Sequence, residues 1–401
     1  MTRLHFVLSL ALIWIVPFSM ASTIHVPADQ PTIQAGINAA KNGDKVLVAP
    51  GTYVENINFM GKAITVTSSG GPKVTTIDGN ATNPVAVFVS GEGPKSVLSR
   101  FTLQNGYGTF AYEFVGGGIC IINASPTIKD NIIINNNGND DGGGIGVISG
   151  SANIAGNIIS NNTAQYGGGL YVSASTAQII GNTISNNTAG IGGGIELNGA
   201  LASVIQNNKI LGNSADTTAG GIDLENEAEE VIVQNLIAGN LANGASQFDS
   251  LVPYGSVGFV FVNNTVVSAP NGNAFAAIIA DGYNTGTLFE NNIIYAVGDQ
   301  AALICNPYYQ DGPPIVEYND AYNQTLAYGD SCSGFSGTNG NISGDPEFKN
   351  VAKGHYQLKS TSPAINVGSN YAPDLPVKDL AGHPRIVDTT IDMGAYEYQA
   401  K

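Results

Sequence analysis

Cationic side chains are scarce in this chain: 15 Lys and Arg stand against 31 Asp and Glu in 401 residues, a formal net charge of −16. Between Phe101 and Gln300 the only basic residues are Lys129 and Lys209, and His5, His25, His355 and His383 all lie outside that stretch. Nucleic acid and anionic lipid are held by clustered Lys and Arg, so neither is expected as a partner. Chemistry that leans on histidine is disfavoured for the same reason. So is β-elimination on a uronic-acid polymer, which needs a cation against the substrate carboxylate, unless Ca²⁺ replaces the missing side chains.

Long apolar runs are equally rare. The one present, Phe6 to Phe18 in "MTRLHFVLSLALIWIVPFSMAS", is shorter than the roughly 20 residues that span a bilayer and ends in Ser19, Met20, Ala21. That pattern reads as an export signal over residues 1–21. A secreted protein is expected, extracellular, periplasmic or at the cell surface, without membrane insertion. Cysteine is limited to Cys120, Cys305 and Cys332. In an exported chain three allow one disulfide. Cys305 and Cys332 are closest in sequence, which makes them the expected pair and leaves Cys120 outside it, with no histidine nearby in sequence to activate it.

What the chain has in abundance is glycine, 51 residues, and it comes in register. The last glycine of successive clusters falls at Gly118, Gly144, Gly169, Gly194 and Gly221, in steps of 26, 25, 25 and 27 residues. Asparagines follow with the same period at Asn131, Asn157, Asn182, Asn208 and Asn235. A unit of this length cannot close a core alone and must stack on its neighbours. Within each unit apolar letters alternate, as in Ile145 and Val147 or Leu170 and Val172, which is the period of a strand with one face inward. Three short strands and three corners of Gly and Asn make one coil. The fold class expected is all-β, a single-stranded parallel β-solenoid. The repeated asparagines are expected to form a ladder of amide hydrogen bonds from coil to coil.

Motifs at both ends agree. "TIHVPADQPTIQAGINAAKNGDKVLVAPGTYVENI", Thr23 to Ile57, resembles the opening cap of right-handed parallel β-helix proteins of the pectin-lyase-like superfamily. Its short helix carries Ile33, Ile37 and Ala40 on one face, with Gly43 as the expected stop. The Gly-rich coils with "NNTA" resemble the repeats of bacterial polymorphic outer-membrane and adhesin passenger proteins. "DPEFKNVAKGHYQLKSTSPAINVGSN" and "DLAGHPRIVDTTIDMGAYEY" resemble the C-terminal segment of secreted bacterial β-helix proteins called choice-of-anchor Q. The division expected is a signal over 1–21, a cap over 22–60, the β-helix over 61–340 and a capping extension over 341–401. The superfamily holds polysaccharide lyases, glycoside hydrolases, pectin esterases and proteins without catalysis, so the resemblance leaves activity open. The esterase motifs have no counterpart here. Of the polygalacturonase pattern only "NDD", Asn139 to Asp141, has any likeness, and it makes Asp140 and Asp141 weak Ca²⁺ candidates at a coil corner.

Function must then sit in the outward letters. Two positions after each marker glycine stand Cys120, Gly146, Tyr171, Glu196 and Asp223, and two further on Ile122, Ile148, Ser173, Asn198 and Glu225. If the coils keep register these are two outward columns, with Glu196 and Asp223 one rung apart and Glu225 beside them. Glu196, Asp223 and Glu225 are the catalytic candidates of a carbohydrate-active hydrolase or lyase, with Tyr171 and Asn198 as substrate contacts. The same strip is also read as a Ca²⁺ or glycan contact, or, most plainly, as solvated acidic surface without burial. The expected partner is an extracellular or envelope polysaccharide, met by a monomer. The rival is a non-catalytic, adhesin-like module. Tyr308, Tyr309, Tyr318 and Tyr322 mark a later irregular stretch, read as an aromatic groove wall or as burial against the C-terminal cap.

Overall fold

The structure is a computed structural model that describes residues 21–109, 115–225, 229–243, 248–254, 258–269, 275–281, 286–306 and 314–399, without the side chains of 248–254 and 281. The expected signal and the tyrosines at 308 and 309 fall outside the described residues.

One coil shows how the sequence folds. Leu170–Ser173, Gln178–Ile180 and Thr183–Ser185 are strands separated by tight corners. Each pairs in parallel with its counterpart one coil on: Leu170 with Ile195, Ile179 with Ile205, Ile184 with Ile210. Repeated along the chain, this builds three faces. The first runs for 12 strands from Thr23–Val26 to Ile315–Glu317, the second for 11 from Gly51–Val54 to Asp320–Tyr322, and the third for 11 from Ile57–Asn58 to Tyr328–Asp330. Register holds because a slip of one residue would turn every aliphatic side chain from core to surface. Leu170, Val172, Ile179 and Ile184 are all fully buried, and each contributes about 1.5–3 kcal/mol by leaving water.

Three strands per coil was an undercount. Four coils add a short fourth strand between the second and third faces, namely Thr163–Tyr166, Thr188–Ile191, Ser214–Thr218 and Leu241–Ala242, which stack as a sheet of their own. This column flanks the third face.

The asparagine ladder is present and longer than the repeat marked. It runs through Asn131, Asn157, Asn182, Asn208, Asn235, Asn264, Asn292, Asn319 and Asn341. Asn182 is representative: its backbone N–H and Nδ2 donate to Asn208 Oδ1 at 2.8 and 3.1 Å, and Nδ2 also to Ile154 O at 2.8 Å. A second ladder, Asn136, Asn162, Asn187, Asn213 and Asn240, occupies the next corner. Before each rung stands a residue in the left-handed region, such as Asn186 at φ 55° and Asn207 at φ 58°. Asn tolerates that backbone, which is why "NN" recurs.

At the N-terminal end the helix Ile33–Ala39 buries Ile33, Ile37 and Ala40. Thr32 caps it by accepting from Ala35 N, and the Glu55 carboxylate accepts from Ile33 N and Gln34 N, both at 2.9 Å. Its stop differs from expectation. The chain turns extended at Ala40, and Gly43 lies three residues further on.

At the other end the antiparallel pair Phe348–Asn350 and His355–Leu358 lies on the outer side of the second face. Phe348, Leu358, Met393 and Ala395 pack there on Leu236, Val267 and Ile293, and Tyr318 joins that cluster. The Tyr322 ring lies 5.7 Å from Tyr295. Cys305 and Cys332 form the disulfide, with Cα atoms 5.4 Å apart and a sequence separation of 27. Closing such a loop is worth roughly 3 kcal/mol. Cys120 stands outside it, buried with Val87 and Val115 on the third face. Among the described residues no helix is long and apolar enough to cross a membrane.

Candidate active site

The third face carries the two outward columns in register. Cys120, Gly146, Tyr171, Glu196 and Asp223 pair from rung to rung, as do Ile122, Ile148, Ser173, Asn198 and Glu225. The structure therefore brings Tyr171, Glu196, Asn198, Asp223 and Glu225 together.

Their environment departs from a solvated strip. Glu196 is 0% exposed and Asp223 5%, while Tyr171, Asn198 and Glu225 are half-buried. The cover is local. After Thr163–Tyr166 and Thr188–Ile191 the chain bends at Gly167 and Gly192, close over Tyr171 and Glu196, before entering the third face. Asp141, Tyr166, Ile191 and Thr218 bridge one another as the edge of that wall. Gly192, at φ +61°, makes the bend above Glu196: a Cβ there would lie 2.6 Å from Glu196 Cβ. In the next coil Ala219 takes the same left-handed position at φ 49°.

The consequence is electrostatic. Both carboxyl oxygens of Glu196 are buried and neither makes a well-formed hydrogen bond; the Gly167 N–H nearby donates to Ile191 O and is the weakest influence on the carboxyl. Burial first, then the charges of Asp223, Glu225 and Asp141, push its pKa up to about 9. Burial and Glu225 push Asp223 up to about 7. Asn198 Nδ2 donates to Glu225 Oε2 at 2.9 Å. Burial, followed by the nearby Asp141 charge, raises the Tyr171 phenol.

Asp141 is the residue whose place the sequence obscured. Offered as a corner ligand beside Asp140, it is half-buried instead, close enough to Glu196 and Tyr171 to act on both, and burial with the Asp140 charge lifts it to about 6. The signal was there: Val115, Asp141, Tyr166 and Ile191 each directly precede a glycine cluster. Asp140 is exposed and its carbonyl accepts from Gln165 N and Tyr166 N. Among the described residues no three His, Cys, Asp or Glu side chains are placed to hold a metal ion.

The strands on this side of the molecule carry no cationic side chain. None of the 11 strands of the third face, nor the 4 of the short column, contains Lys, Arg or His. Lys129 belongs to a first-face strand and Lys209 to a second-face strand.

Residues 117–294, which contain all of these coils, match the family model described as right handed beta helix region. No curated protein matches the chain. Among solved structures it is similar to the pectate lyase Pel9A, at 13% identity and TM-score 0.44, covering 95% of this chain and 97% of that one. It is also similar to the A-module of the Azotobacter vinelandii mannuronan C-5 epimerase AlgE4, at 15% identity and TM-score 0.41, covering 72% of this chain and 91% of that one. The PL6 family alginate lyase AlyGC matches at 14% identity and TM-score 0.41, over 90% of this chain and 60% of that one.

Proposed function

The chain carries a right-handed parallel β-helix, and from that premise we propose that it is an exported carbohydrate-acting protein that hydrolyses a glycan on the outer side of its third face. The observation that carries this reading is a buried carboxyl with neither oxygen in a well-formed hydrogen bond, Glu196, one rung from a second buried carboxyl, Asp223. Glycoside hydrolysis needs one protonated acid and one carboxylate, held apart in pKa by their surroundings. Glu196 at about 9 and Asp223 at about 7 meet that need between those pH values. Adjacent rungs lie about 4.8 Å apart at the backbone, close to the roughly 5–5.5 Å carboxyl separation of retaining enzymes.

In the step so defined, Glu196 gives its proton to the glycosidic oxygen as the C–O bond breaks, and the Asp223 carboxylate bonds to the sugar carbon. Water then adds to that carbon and releases Asp223, its proton returning to Glu196. Ser173, Asn198 and Glu225 form the half-buried column alongside, and a sugar chain lies on them with Tyr171 at one end. Hydrolysis is favoured over β-elimination because no strand of this face supplies a cation. Export is inferred from residues 1–21 and fits the disulfide.

The test is a polysaccharide panel incubated with the purified protein, reading reducing ends and unsaturated uronates. Reducing ends without unsaturation are expected, lost by about 10²–10⁴-fold in Glu196→Gln. The pH profile of kcat/KM is expected to be bell-shaped, with limbs near 7 and 9. Binding without product from any polymer would instead establish a non-catalytic module.

A further inference from the structure

Hydrolysis uses two carboxyl groups, whereas this site assembles four. Asp141 on the wall, Glu196 and Asp223 in one column, and Glu225 in the next act on one another's charge. The surrounding sheet offers nothing to balance them. Its strands and those of the flanking column hold no Lys, Arg or His, but do hold further acids at Asp216, Asp249, Asp281 and Asp330. The asparagine ladders satisfy their own buried amides, and although single atoms of Gln234, Thr287 and Asp320 and two of Arg385 are buried without a partner elsewhere, in this face it is Glu196 that is fully buried with neither oxygen in a hydrogen bond. An arrangement so one-sided in charge repels a uronate polymer and is incomplete with a neutral one, because hydroxyl groups bring donors but no charge.

We infer that the substrate is an amine-bearing glycan, a polymer of hexosamine with free amino groups, whose ammonium is received by Glu225 beside the Asp223 and Glu196 carboxyls. An ammonium supplies three donors to a cluster of acceptors in which Asn198 donates one bond, and a positive charge to a cluster that has none. Glu225 is the contact because, of the three acids on the sheet itself, it is the half-buried one, and one of its oxygens already accepts from Asn198. Tyr171, also half-buried, adds a ring face for the sugar or its cation. The inference rests on the hydrolytic reading above and narrows it.

Calorimetry with oligomers of glucosamine, N-acetylglucosamine and galacturonate of equal length provides the test. The glucosamine oligomer is expected to bind at least tenfold more tightly than its N-acetylated counterpart, to weaken as salt rises, and to release protons on binding, since a cation favours the ionised carboxylates. The galacturonate oligomer is expected not to bind. Glu225→Gln keeps a carbonyl for Asn198 and removes a charge that acts on Glu196 and Asp223, so it should melt no lower than the wild type while glucosamine affinity falls about tenfold and N-acetylglucosamine affinity falls by much less. Equal or tighter binding of the N-acetylated or the anionic oligomer would overturn the inference. Glu196-dependent cleavage of a neutral or anionic polymer alone would sink it while leaving hydrolysis standing. Preferential glucosamine binding without any product would retain amine recognition and remove hydrolysis.

Discussion

Two kinds of polar stack run along this molecule at one residue per coil, asparagine ladders and an acid column, and both are buried. In the asparagine ladders each amide donates upward through nitrogen and accepts through oxygen, so Asn157, Asn182 and Asn208 leave nothing unpaired from rung to rung. In the acid column Glu196 and Asp223 occupy the same geometry with acceptors only, and neither Glu196 oxygen makes a well-formed hydrogen bond. Asn is self-complementary in a parallel stack and a carboxylate is not. The first stack therefore stabilises the coils, while the second raises its own pKa values and costs stability that only a ligand or a proton offsets.

Breaking the first stack should have the largest effect. Asn187→Ala deletes the Nδ2 bonds to Asn213 Oδ1 and Ile159 O and removes the acceptor for Asn162 N and Nδ2. Several buried groups are orphaned at once, so a loss of about 3–5 kcal/mol is expected in denaturant unfolding. Removing charge from the second stack should act in the opposite direction. The folded-state pKa of Glu196 is raised, so its contribution to stability is fully present below the unfolded value and is lost as pH rises from about 4.5 towards about 9. Glu196→Gln should therefore melt like the wild type near pH 4 and above it at pH 8. A wild type whose melting does not fall over that range would erase the contrast between the two stacks. The smallest change is at the rim: Asn198→Ala removes one half-buried bond to Glu225 and should cost about 0.5–1.5 kcal/mol.

The sequence made the coil legible because two independent markers kept one period and the aliphatics alternated between them. It also placed Tyr171, Glu196 and Asp223 in one column, since parallel pairing preserves any register that the core enforces. Burial of that column was not legible. Alternation says which side chains point outward, but not whether another segment crosses above them. The crossing segment is a four- or five-residue strand such as Thr188–Ile191 or Ser214–Thr218, too short for its own periodicity to register. The nearness of Asp141 to Glu196 and Tyr171 was hidden for the same reason, as it depends on the wall in which Asp141 stands. The second ladder was hidden in "NNT", where one Asn takes the left-handed backbone and the next makes the bonds.

The contrast between the stacks comes down to whether Glu196 holds a proton at neutral pH. Carboxyl ¹³C titration of the glutamates, with the Glu196 resonance assigned by its absence in Glu196→Gln, measures this directly. A resonance that stays protonated through pH 7 and titrates near 9 is the predicted result. Titration near 4.5, the ordinary value, would contradict it and remove the general acid from this face.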